Sequence, residues 1–250
     1  MSENSRGSVR VEQGLKRVRT YLNGELVADT RTPFLVWEHP YYPTYYLPAA
    51  DVRAALIDAD ETKHSPSRGD GEVLHVKVAT ATAERAALRY PASPLEQLRD
   101  LVRIDWNAMD EWLEEDEPVY THPRDPYKRV DILASSRHVR VEIDGVTVAE
   151  SRQPRILFET GLPARYYLPL PDVRMDLLRP SETTSHCPYK GTASYWSVDA
   201  GRGGHEDIVW IYRAPLPESQ KIAGLACFYD ERVDLYLDGE LQDKPRTQFG

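Results

Sequence analysis

A thiol and an ammonium stand three residues apart in Cys187-Pro188-Tyr189-Lys190-Gly191. A cation beside a cysteine favours the thiolate, which is the nucleophilic form. His186 precedes the thiol and offers a proton carrier. Gly191 permits a backbone to approach a ligand closely, and Pro188 directs a turn. The stretch Thr184–Tyr195 that holds these residues reads as a loop. Around it, Glu159, Tyr166, Tyr189, Tyr195, Trp210 and Tyr212 supply the lining of a small-molecule cleft. Tyr166, Trp210 and Tyr212 would be its walls, and Arg152 and Lys190 its anchors for an anionic or aromatic ligand. A few polar groups converging in an apolar cleft is the pattern such sites show.

Each residue has a plainer reading beside this one. Free cysteine is among the most buried residue types and packs as a small hydrophobe. Large aromatics dominate core burial more often than they line cages. Arg31 and Arg152 suit ion pairs with Glu38 and Glu159, and the acidic run Glu114–Glu117 suits a solvated helix end. Three classes of function therefore stay open. One is a small-molecule binder, one an enzyme with Cys187 as nucleophile activated by Lys190. The third is a structural or interaction module presenting Trp37, Tyr41 and Tyr42. The chain has no CxxC pair, no HExxH, no GxSxG elbow and no GxGxxG fingerprint, so no metal and no cofactor is expected.

These residues must be positioned by a duplicated scaffold. Arg17–Ile57 and His138–Leu178 align without a gap, with Gly24 on Gly145, Glu38 on Glu159, Tyr45-Tyr46-Leu47-Pro48 on Tyr166-Tyr167-Leu168-Pro169 and Asp51-Val52-Arg53 on Asp172-Val173-Arg174. Residues 1–10 read as a flexible tail, 11–132 as the first repeat and 133–250 as the second. In each repeat two short strands flank Asn23-Gly24 or Asp144-Gly145, dipeptides suited to tight hairpins. Further strands are expected at Phe34–Trp37, Tyr45–Leu47, Arg155–Phe158, Tyr166–Leu168, Tyr195–Val198 and Ile208–Tyr212. Leu225–Tyr229 and Val233–Leu237 read as a last pair. Short helices are expected at Pro94–Arg99, where Ser93-Pro94-Leu95-Glu96 forms a capping box, and at Ala108–Glu115. A strand at Leu101–Trp106 separates them, and Arg129–Asp131 reads as the final strand of the first repeat. After a one-residue shift His64-Ser65-Pro66-Ser67-Arg68-Gly69 matches His186–Gly191, and Ala87 and Arg89 fall near Trp210 and Tyr212. The Cys/Lys chemistry thus belongs to the second repeat alone.

Composition sets the outer bounds. The 250 residues are 41% hydrophobic and 28% charged, an ordinary globular profile. A net charge of −9 argues against nucleic acid or an anionic membrane surface as partner. The polar N-terminus carries no apolar leader and no stretch is long enough to cross a bilayer, so a cytoplasmic protein with reduced thiols at Cys187 and Cys227 is expected. Two copies in one chain suit a monomer or weak homo-oligomer.

Tyr166-Tyr167-Leu168-Pro169, Asp172-Val173-Arg174, Cys187–Gly191, Tyr195-Trp196, Trp210 and Phe228-Tyr229 together resemble the bacterial domain-of-unknown-function family 427. The likeness covers the second repeat almost end to end and the first more loosely. The linking Glu114–Asp131 looks like that of tandem members. The resemblance implies a mainly β protein of two tandem β-tent-like domains, each of small antiparallel sheets with a cleft and a few short helices. Relatives of that fold often carry zinc on paired CxxC motifs, which are missing here. The family also bears a nucleotidyltransferase-like label, and the chain lacks the Gly-Ser and paired-carboxylate pattern that label would need. The first repeat departs from the family pattern at Ser65, Ser67, Ala87 and Arg89.

Overall fold

A computed structural model of the chain describes residues 9–201 and 203–247. It is mainly β and divides into two compact units, Met1–Asp125 and Pro126–Gly250. The expected tail lies outside the described residues as far as Ser8, and Arg10 already belongs to a strand.

The first unit contains β1 (Arg10–Gln13), β2 (Val18–Leu22), β3 (Glu25–Thr30), β4 (Phe34–Trp37), β5 (Thr44–Pro48), β6 (Ala55–Ser65), β7 (Gly69–Lys77), β8 (Thr82–Arg89), β9 (Leu101–Ile104), β10 (Glu111–Glu114) and β11 (Glu117–Pro118). The second contains β12 (Val130–Ala134), β13 (Val139–Ile143), β14 (Val146–Ser151), β15 (Arg155–Glu159), β16 (Arg165–Leu168), β17 (Leu178–Cys187), β18 (Gly191–Asp199), β19 (Gly204–Tyr212), β20 (Ala226–Phe228), β21 (Asp234–Leu237) and β22 (Glu240–Leu241). Each unit has one seven-stranded and one four-stranded antiparallel sheet. Their orders are β1-β4-β5-β9-β8-β7-β6 with β11-β10-β2-β3, and β12-β15-β16-β20-β19-β18-β17 with β14-β13-β21-β22. Asn23 and Gly24, like Asp144 and Gly145, all take positive φ, so both hairpins close with the twist that favours two-residue loops.

The period-2 alternation of the strands makes two cores from each seven-stranded sheet. In the second unit the inner face meets the four-stranded sheet through Leu168, Trp196, Val198, Ile211, Ala226 and Phe228, packed on Val139, Val141, Val148 and Leu235. Burying each Val, Leu, Ile or Phe among them contributes about 1.5–3 kcal/mol. The space between the sheets is therefore filled rather than open. The outer face gathers a separate cluster, Tyr167, Ala193, Tyr195, Trp210, Tyr212 and Cys227, roofed by Ile222 from a 3-10 segment, Pro217–Ile222.

Several expectations are corrected. Ala108–Glu115 is not a helix: Trp106–Ala108 makes one 3-10 turn, and β10 then pairs with β2. The helical spacing of its apolar residues yields to the open edge of the β2–β3 hairpin, whose unpaired groups need a partner. Glu114 accordingly is no solvated helix end. It is 6% exposed and accepts a hydrogen bond from Tyr45 Oη at 2.7 Å. Pro94–Arg99 holds only a 3-10 turn at Glu96–Leu98. Leu225–Tyr229 and Val233–Leu237 do not pair. β20 inserts between β16 and β19, while β21 joins β13 in the other sheet. The strand Val130–Ala134 pairs with β15, so Arg129–Asp131 belongs with the second unit, which begins at Pro126 and not at residue 133.

Candidate functional site

The Cys187–Gly191 segment is the tip of a hairpin and not part of a loop. β17 and β18 pair up to Cys187 opposite Gly191, leaving Pro188-Tyr189-Lys190 as the turn. Proline presets the first turn residue, and Gly191, at φ +92°, takes the left-handed conformation that rejoins the strand. Because the strand runs through Cys187, alternation sorts its neighbours. Ser185 and Cys187 share a face. His186 falls on the other, exposed, with Nδ1 2.9 Å from Thr192 Oγ1. It is not placed to carry a proton for the thiol.

Lys190 folds back against the sheet and forms an ion pair with Glu159 at the end of β15. Their side chains are only 12% and 9% exposed. Burial alone would lower the Lys190 pKa. The neighbouring Cys187 and Glu159 outweigh it and hold the pKa above the usual lysine value. Lys190 is thus a fixed ammonium. The tip is roofed by the 3-10 segment and its approach: Leu216 N–H donates to the Lys190 carbonyl at 3.1 Å and Ser219 Oγ to the Tyr189 carbonyl at 3.0 Å. Both thiols are free. Cys187 is half-buried beside that ammonium, whereas Cys227 is fully buried and its pKa is driven well up, chiefly by burial.

The expected cleft walls part company. Tyr195, Trp210 and Tyr212 lie with the thiol on the outer face, yet they are 9%, 7% and 5% exposed and packed on one another's neighbours as a core. Tyr189 is likewise buried in the turn. Tyr166 points to the inner face, and alternation instead brings Tyr167 to the outer one, where its hydroxyl accepts from Trp210 Nε1–H at 3.1 Å. Burial raises the pKa of Tyr167 and of Tyr212 well above the usual value, so both phenols stay neutral. Arg152 is exposed in the turn after β14, and Glu159 pairs with Lys190 rather than with it.

Tyr166 lines a different space, a cavity of about 140 Å³ together with Asp230, Leu235, Gln242, Asp243 and Pro245. Beneath it Arg165 grips Glu231 with two hydrogen bonds of 2.8 and 2.6 Å and reaches Asp230 only at 3.4 Å. Asp230 is 6% exposed, and its pKa is pushed up to about 7 by burial, against the opposing pull of Arg165.

A family model described as "Domain of unknown function (DUF427)" matches residues 10–115 and 131–239. The chain belongs to this family, as two tandem copies. A search of curated proteins returned no match.

The two DUF427 copies share the hairpin tip and its ion pair. In the first copy Arg68 takes the place of Lys190 and pairs with Glu38, which also accepts from Tyr46 Oη at 2.6 Å. Arg68 donates to Tyr46 Oη at 2.9 Å and to Ser65 Oγ, the counterpart of Cys187, at 3.1 Å. Arg31 is not the partner of Glu38. The strand register also revises the matching of the copies. Leu88 pairs with Arg103 as Trp210 pairs with Cys227, so Trp210 corresponds to Leu88 and Tyr212 to Tyr90, not to Ala87 and Arg89. A one-residue slip in a strand moves every side chain to the wrong face. The residues of these two regions that the sequence did not point to are Tyr167, Arg165, Asp230 and Glu231. Alternation along Arg165–Leu168 was the available signal for Tyr167. Nothing local signalled Asp230, which depends on packing by the C-terminal segment.

Trp37 and Tyr42 of the first copy are already engaged inside their own unit. Trp37 Nε1–H donates to Asp125 at 3.0 Å, and Tyr42 stacks on His122 with ring centroids 3.8 Å apart. Tyr41 is exposed.

Proposed function

We propose that the second DUF427 domain binds a small molecule through a cationic group, in the cavity beside Tyr166 and Asp230. One observation carries this reading: a buried carboxylate faces a cavity while the arginine beneath it is committed to Glu231. An ammonium or guanidinium would give Asp230 a closer partner than Arg165, which reaches it only at 3.4 Å, and the Tyr166 ring offers a face for it. The volume of about 140 Å³ suits the end of a ligand, a group of a few heavy atoms. An anion at the hairpin tip is less well served, because Lys190 is matched by Glu159 and Arg152 lies elsewhere. A soluble small molecule also fits the net charge of −9 better than nucleic acid does.

The test is an NMR titration with propylammonium and methylguanidinium. Binding should weaken at least tenfold, about 1.4 kcal/mol, in Asp230→Asn. It should strengthen from pH 6 to pH 8 as Asp230 ionises. Binding indifferent to that substitution sinks the proposal.

A second reading is favoured by the half-buried Cys187 beside a held ammonium: an enzyme in which this thiolate attacks an electrophile. Alkylation of the native protein by iodoacetamide decides it. Rapid modification of Cys187 near neutral pH supports the nucleophile, and labelling only after unfolding ends it.

A further inference from the structure

The outer face of the first domain differs from that of the second in both shape and sign. Where the second domain places Tyr195, Trp210 and Tyr229, the first has Val73, Leu88 and Asp105 at the same strand positions. The rings are gone and a cavity of about 100 Å³ opens. Three cations line it, Lys63, Arg85 and Arg103, at positions that in the second domain are Ser185, Asp207 and Cys227. We infer that this cavity is an oxyanion site, built for a phosphoryl group that still carries one proton.

The cations are not used up by their neighbours. Arg103 approaches Glu38 at 3.5 Å, but that carboxylate already serves Arg68 and Tyr46, so two guanidinia share one acid. Lys63 has no ion pair among the described residues and is exposed. Arg85 sits in a bulge of β8 at φ +55°, a strained conformation for a side chain of its size, and is steadied by Glu61 at 2.7 Å. Bulges of this kind re-aim side chains; the second domain has the same one at Asp207, φ +51°, so the bulge belongs to the scaffold and only the cation on it is particular to the first domain. Two carboxylates, Glu61 and Asp105, complete the polar lining; Glu61 is held by Arg85, and Asp105 is the freer acceptor. Its Oδ1 already accepts from Asn107 N–H at 3.0 Å, which leaves acceptor capacity for a donor on the ligand. A P–O–H group is such a donor. Sulfate has none at neutral pH.

Inorganic phosphate, methyl phosphate, sulfate and acetate are titrated into the full chain at low ionic strength, with amide chemical shifts as readout. Phosphate should bind at least tenfold tighter than sulfate or acetate and move the amides of Lys63, Arg85 and Arg103. Equal binding of methyl phosphate means a monoester headgroup is the ligand class; exclusion of it means free phosphate. Lys63→Gln should weaken phosphate about fivefold, and Asp105→Asn should weaken phosphate while leaving sulfate unchanged. Leu88→Trp, which rebuilds the second domain's filling, should abolish binding. Should Arg103→Gln fail to fold, the exposed Lys63 carries the test. Phosphate and sulfate binding alike, or shifts untouched by Lys63→Gln, overturn the inference. Asp230→Asn must leave phosphate binding intact, so failure here is separate from failure of the second-domain proposal.

Discussion

The outer faces of the two seven-stranded sheets share one backbone and carry opposite contents. Both hold a buried acid–cation pair at the hairpin tip, Glu38 with Arg68 and Glu159 with Lys190. Beyond that pair the second domain fills its face with Tyr195, Trp210 and Tyr229, while the first leaves a cavity where three cations outnumber two carboxylates. The tip pair belongs to the scaffold, since it ties the long hairpin to the end of β4 or β15 in both copies. The filling is what diverged. A site is therefore sought where the copies differ rather than where they agree.

Removing the shared ion pair should have the largest effect. Glu159→Ala leaves the Lys190 ammonium mostly buried and unpaired, and should cost about 3–5 kcal/mol. Hydrogen exchange of the β17–β18 peptides would report the loss, and a cost below 1 kcal/mol would mean the tip pair is no scaffold element. Next in size is Trp210→Leu, which gives the second domain the residue the first has at Leu88. It creates a void and deprives Tyr167 Oη of its donor, so about 3 kcal/mol should be lost in urea unfolding. The reciprocal Leu88→Trp should cost less, about 1–2 kcal/mol, because a cavity waits for the ring.

The pH dependence of the second domain tests the other side of the comparison. The folded Asp230 pKa of about 7 lies above its unfolded value. The folded state therefore holds the extra proton, and the associated stability is present below about pH 4 and lost as the pH rises through 7. In Asp230→Asn that loss, about 4 kcal/mol for a shift from 3.8 to about 7, should vanish from the pH profile of thermal stability. An unchanged slope would place the titration elsewhere. The smallest effect concerns the thiol. Lys190→Gln should slow alkylation of native Cys187 about three- to tenfold. His186→Ala should leave the rate within about twofold, since that imidazole lies across the strand. A large effect of His186→Ala would contradict the face assignment.

Much of the scaffold could be read from the chain. The repeat, the Asn23-Gly24 and Asp144-Gly145 hairpins, and the strands around Phe34, Tyr45, Arg155 and Tyr166 are local signals of turn chemistry and alternation. The errors fall where local periodicity met a tertiary demand. Ala108–Glu115 has helical spacing, but β2 had an edge to cover. Thr184–Tyr195 looked like a loop because its Pro and Gly crowd a three-residue turn at the end of two long strands. Of the candidate site residues, Lys190, Cys187, Tyr195, Trp210 and Tyr212 do share one face, whereas Tyr166, Arg152 and His186 do not.

The duplication, the β class, the family and the placing of a thiol and a lysine across a proline turn follow from the order of residues alone. All of these are encoded within a dozen residues of one another or in a constant offset between copies. Folding decided which face each aromatic takes, that Glu159 rather than solvent meets Lys190, and that Asp230 lies beside Arg165 and Glu231. It also decided that an empty space in the first domain stands where rings fill the second. Those outcomes depend on register and on contacts between residues far apart in the chain, and a one-residue difference in register exchanges the two faces of a strand.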